Sequence, residues 1–153
     1  MKKILYLFIF ILPFAMSSCG GGNDEPDSPK IEQFSEPDIS LVKAELDSRI
    51  IELSNELETM TLSSMATHLR NDLTHLQSAR TALNKTSKNK KEFNAKLDEA
   101  IYHLNIAIDD TNISGRLDIY TAYLTSAQKS RLNYYYGAFL VIKTKLETFR
   151  IVD

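Results

Sequence analysis

The chain has 153 residues, 43% of them hydrophobic and 25% charged, with 18 Lys+Arg against 20 Asp+Glu and a formal net charge of −2. That length suits one domain, and a slightly acidic balance lacks the clustered cations that hold phosphate backbones, so no nucleic-acid partner is expected. A single cysteine excludes an internal disulfide.

The chain opens with Met1-Lys2-Lys3, an apolar run from Ile4 to Ala15, and Met16-Ser17-Ser18-Cys19. A basic start, a short apolar run and small polar residues form the three-part pattern of an export signal. The run is too short to cross a bilayer, which takes roughly 18 or more apolar residues. Met16-Ser17-Ser18-Cys19 resembles the lipobox of bacterial lipoproteins, with Met16 where Leu is commoner. The resemblance implies a diacylglycerol thioether on Cys19, cleavage between Ser18 and Cys19, and acylation of the new amino group. Residues 1–18 would then be a signal, and the membrane would be the first partner, held through lipid on Cys19. One acyl chain anchors only marginally, whereas two or more make the attachment durable. Acylation also accounts for the odd thiol. A nucleophilic cysteine would need a neighbouring base and an electropositive pocket, and Gly20-Gly21-Gly22 offers neither.

Once residues 1–18 are removed, 16 basic side chains face 20 acidic ones. Residues 19–36 read as the lipidated cysteine and a flexible tether. Glycines 20–22 loosen the backbone, Pro26 and Pro29 oppose helix, and five acidic side chains between Asp24 and Glu36 repel one another. Such a segment spans about 20–25 Å on average. A Gly-rich acidic stretch behind a lipidated Cys also resembles the signal with which some Gram-negative bacteria place lipoproteins on the outer face of the outer membrane. The expected location is therefore the outer membrane, with the periplasmic face and the cell surface both open.

From residue 37 to 153 the pattern is helical. Pro is absent after Pro37, and Gly occurs only at 115 and 137. Ile39, Val42, Leu46, Ile50, Leu53, Leu57 and Met60 recur by threes and fours as one amphipathic stripe, with Pro37 in the first turn and Ser35 or Asp38 as cap. A second stripe, Leu62, Met65, Leu69, Leu73, Leu76, Ala79 and Leu83, follows a slip in phase between Thr59 and Ser64. With no Gly, Pro or Asn at the slip, one unbroken helix of about 45 residues with a local phase shift is favoured over two helices joined by a turn.

Asn84 to Asn89 is a polar connection, and Asn89 with Glu92 three residues on fits a capping box. The next stripe is Phe93, Leu97, Ile101, Leu104 and Ile108, ending before Gly115. Residues 116–124 read as a short helix or lead-in. The last helix, from about Ser126 to Arg150, carries Leu132, Tyr135, Phe139, Ile142, Leu146 and Phe149. One-sided apolar helices must cover one another, so the expected fold is all-α, an elongated antiparallel bundle of three to four helices.

Leu124-Thr125-Ser126-Ala127-Gln128 resembles the LTxxQ motif of the Spy-like periplasmic chaperones and stress sensors. The match covers about ten residues and one copy where that family shows two. It implies a helical face that holds unfolded clients, although the family's basic surface has no counterpart in this acidic chain. Thr followed three residues later by Gln is also a capping box in its own right.

Tyr134-Tyr135-Tyr136 is the densest aromatic feature. Successive helical side chains point about 100° apart, so Tyr135 can face the core while Tyr134 and Tyr136 flank it. Those two, with Tyr123, are the candidate partner-binding residues, because an aromatic body with a polar tip suits an interface. Covering the edge of the bundle is their simpler use.

His68, Asp72 and His75, at i, i+4 and i+7, share a helix face from which two could grip a cation. A site needs a further ligand, and only His103, with Glu99 one turn before it, offers an approach from the following helix. Polar residues beside a leucine stripe are ordinarily its solvated margin, so no metal and no cofactor are expected. Nor does any phosphate loop, nucleophile elbow or H-E-x-x-H mark an enzyme. The sequence reads as a non-catalytic interaction or accessory module of the cell envelope with a protein partner. An LTxxQ-type chaperone or stress sensor is the alternative, and the oligomeric state is left open.

Overall fold

The computed structural model describes residues 34–60, 64–113 and 122–152. Cys19, the signal segment, residues 20–33 of the tether and most of the 116–124 lead-in lie outside the described residues. By its internal contacts the chain divides into Met1–Glu32 and Gln33–Asp153, and the described elements belong to the second unit.

Among the described residues there are four helices and no strand: α1 (Ser40–Thr59), α2 (Ser64–Leu83), α3 (Lys90–Thr111) and α4 (Ser126–Thr148). At 1.5 Å per residue each is about 30–35 Å long. Pairs of side chains give the direction of every neighbour. Arg80 meets Asp47 across α1 and α2, and Asn71 meets Asp110 while Lys85 meets Glu99 across α2 and α3. Arg150 meets Asp98 just beyond α4, against α3. Lys145 meets Glu45 and Arg131 meets Glu56 across α4 and α1. In each case the early part of one helix faces the late part of the next, so the four run up, down, up, down, with α4 closing against α1. The expected all-α antiparallel bundle is what forms, with four helices among the described residues.

Both favoured readings at the start of the bundle need correction. Residues 40–83 are two helices, not one. Met60 takes an extended conformation (φ −77°, ψ 128°) that ends α1, and the Thr59 hydroxyl donates to the Glu56 carbonyl (2.9 Å), occupying an acceptor that the helix end leaves unused. The phase slip was therefore the change of direction itself. Pro37 also stands before α1 rather than in its first turn. The N-cap position falls to Ile39, with no side-chain cap bond, and Asp38, one residue earlier, accepts from the Ser40 N–H at 2.9 Å.

The core follows the stripes. Val42, Leu46, Ile50, Leu53 and Leu57 of α1 are buried, as are Phe93, Leu97, Ile101, Leu104 and Ile108 of α3 and Leu132, Tyr135, Phe139, Ile142 and Leu146 of α4. On α2, Met65, Leu69, Leu76, Ala79 and Leu83 are buried, while Leu73, Met60 and Phe149 pack only partly against the core. Periodicity did not single out Ala66 and Ala82 on α2 or Ala100 and Ala107 on α3, all fully buried. Small side chains let two helix backbones approach closely, and α2 and α3 form the most extensive helix pair.

Phe34 and Glu36, read as tether, belong to the folded unit. The Phe34 ring lies 6.4 Å from that of Phe93. Glu36 accepts from the Ser87 N–H (3.1 Å) and from Lys96, whose side chain is only 3% exposed. Lys96 also donates to the Lys85 carbonyl at 3.1 Å and lies 5.1 Å from the Phe93 ring centre. A buried ammonium needs such company.

Candidate functional site

Starting α4 uses the LTxxQ-like residues. The Thr125 side chain accepts from the Gln128 N–H at 3.3 Å, and the Gln128 side chain accepts from the Thr125 N–H at 2.8 Å, a complete capping box. At Asn89 the box is displaced. Asn89 accepts from the Glu92 N–H at 2.9 Å, but the Glu92 carboxylate accepts from the Lys88 N–H (2.8 Å) and from the Asn89 side-chain amide.

The densest polar cluster lies one turn into α4, where it faces the end of α1. Arg131 donates to Glu56 (Nε to Oε2, 2.7 Å), to Glu52 (3.0 Å) and to the Tyr135 hydroxyl (3.0 Å). Tyr135 donates in turn to Glu56, and Tyr134 donates to Glu52 at 3.0 Å, with Arg49 beside both Glu52 and the Tyr134 hydroxyl. The Arg131 guanidinium stands 4.7 Å from the ring centres of both tyrosines.

Electrostatics keeps Glu52, Arg131 and Tyr135 in their ordinary ionic forms. Burial pushes Glu52 up, but bonds from Tyr134, Arg131 and Arg49 outweigh it and hold the carboxyl below its usual range. The hydrogen bond to Glu56 raises Arg131 further against the opposing effect of burial. Burial first, and then the bond to Glu56, raise the Tyr135 phenol. None of these three groups is poised to exchange a proton near neutral pH, so the cluster works as a clamp between α1 and α4. Beside it opens a cavity of about 400 Å³, with Glu56, Met60, Met65, Ala127, Gln128 and Arg131 on its walls.

Of the tyrosines read as partner-binding, Tyr123 is 82% exposed and Tyr134 41% exposed, whereas Tyr136 is partly buried against the core. Tyr134 is thus an exposed ring that also takes part in the clamp. Tyr134→Phe should cost about 0.5–1 kcal/mol by losing the hydroxyl bond. Tyr134→Ser should cost about 1–2 kcal/mol because the ring under the arginines goes as well. Urea titration of the two variants checks both values.

Asp72 is fully buried, not on a solvated margin, and His68 is only partly exposed. Among the described residues no group of three or more His, Cys, Asp or Glu side chains is arranged to hold a metal ion. His75 instead meets His103 of α3, Nδ1 to Nδ1 at 3.2 Å, with the Tyr102 ring edge-on to His103 at 5.3 Å. Burial and the neighbouring His103 lower the His75 pKa, with Asp110 pulling the other way.

The sequence reading missed Arg131, Glu52 and Glu56. Their signal was present as charges one turn apart along the margins of two apolar stripes. Among the described residues, no helix is long and apolar enough to cross a membrane. Compared with family profiles, with curated proteins and with solved structures, the chain returns no match.

Proposed function

We propose that this protein is a lipid-anchored component of the cell envelope whose helical bundle serves as a non-catalytic interaction or accessory module. The observation that carries the reading is Met16-Ser17-Ser18-Cys19 placed directly behind a basic start and a twelve-residue, mostly apolar run, with no other cysteine in the chain. Export followed by acylation is the one use that explains the leader and the lone thiol together. Two neighbouring helices add support, because they keep large apolar side chains at the surface: Leu41 and Ile51 on α1, Leu140 and Val141 on α4. The polar cluster between the same helices is spent on holding them together, which favours binding over chemistry at that place.

Replacing Cys19 with Ser should abolish incorporation of a palmitate analogue in growing cells and shift the protein from the membrane pellet to the soluble fraction. Unchanged labelling, or an equally membrane-bound variant, would overturn the reading. The chaperone alternative makes a different demand, namely that the unacylated protein delay aggregation of an unrelated unfolded client.

A further inference from the structure

From the facing imidazoles on α2 and α3 we infer that His75 and His103 form a two-ligand site for a late first-row divalent cation such as zinc, a clasp joining the two helices. The distance is the argument. Two nitrogens each 2.0–2.1 Å from one ion lie about 2.9 Å apart at a right angle and about 3.3 Å apart at the tetrahedral angle. The Nδ1 atoms are 3.2 Å apart, inside that interval. Without metal, one ring must donate a proton to the other. An ion would take that proton's place, with the two donor nitrogens already at the separation it requires.

The surroundings fit a partly open site. Both histidines are half-buried, and the edge-on Tyr102 ring restricts the orientation of His103. His103 also lines an open cavity of about 320 Å³ with Thr74, Gln77, Ser78, Thr81 and Glu99, so solvent reaches its side of the pair. Neutral imidazole with water is a donor set suited to zinc, copper or nickel rather than to calcium or magnesium. Because the ligands sit 28 residues apart on neighbouring helices, an ion held by both binds the folded chain in preference to the unfolded one, and the stabilisation grows with the logarithm of the free ion concentration once that exceeds the dissociation constant.

The test is calorimetric titration of the full chain carrying Cys19→Ser, so that no thiol competes, and free of any histidine tag. Zinc chloride should bind with one ion per chain and raise the melting temperature. His75→Gln and His103→Gln should each remove the binding, and His68→Gln should leave it intact. Copper(II) added to the parent protein should show two coordinated nitrogens by electron paramagnetic resonance, a reading that stands even if a histidine variant folds poorly. No heat with zinc, binding that survives both glutamine variants, binding lost with His68→Gln, or a copper spectrum with fewer than two nitrogens would overturn the assignment.

Discussion

Changing Glu36 to Gln should destabilise the protein by about 2–3 kcal/mol, somewhat below the usual cost of breaking a buried ion pair because one member is partly solvated. The Lys96 side chain is 3% exposed and its carboxylate partner 30% exposed. Removing the negative charge leaves an ammonium in the interior with neutral acceptors in place of a counter-charge: the substituted amide oxygen, the Lys85 carbonyl and the Phe93 ring. The reciprocal change should be milder. Lys96→Met replaces the charge with an apolar chain of similar length, and Glu36 retains its bond from the Ser87 N–H and its contact with water. Urea titration of the two variants should rank them in that order, and equal losses would show that the pair is worth no more than its packing.

Acidity supplies a second reading of the same pair. Burial pushes the Glu36 carboxyl up, but the bonds from Lys96 and from the Ser87 backbone outweigh it and hold its pKa below the ordinary 4.5. With the folded-state value depressed, the stabilisation is complete above about pH 4.5 and is lost as pH falls through the lower folded-state value. The deficit of Glu36→Gln relative to the natural protein should therefore be constant near neutrality and shrink in acid.

The larger loss is expected from Phe139→Ala, at about 3–5 kcal/mol. Phe139 is fully buried in the middle of α4, with its ring stacked 5.7 Å from that of Tyr135. Truncation removes that contact and leaves a void in a core whose other large members, Leu46, Leu53 and Phe93, are themselves fully buried. Tyr135 would lose its packing partner while its hydroxyl remained tied to Arg131 and Glu56. A thermal melt should drop by roughly 10–20 °C. Phe139→Leu keeps most of the buried area and should lose less than half as much.

Much of the bundle could be read from spacing because a helix that is apolar on one side leaves its buried positions little freedom. The stripes of α3 and α4 were recovered almost residue for residue, as was the Thr125 cap. The turn at Met60 was not, because it carries none of the residues that usually announce one. An extended Met60 and a side-chain bond from Thr59 do the work instead. Nor could spacing identify the charges that go inside. Lys96 lies next to Leu97, and its burial depends on Glu36, 60 positions away. Likewise His75 and His103 lie on one face of each of two helices, and only the register between those helices sets them opposite each other.

Phe34, where the described chain begins, lies against Phe93, and Ile151, near its end, exchanges hydrogen bonds with the side chain of Asn94. The folded unit is thus entered and left at the same end of α3. Tension applied between those two points would not slide the helices along their length. It would pry α1 and α4 apart like the jaws of a clothes-peg, one turn after another, so that each increment of force meets only a few contacts and the bundle would give way to a modest pull.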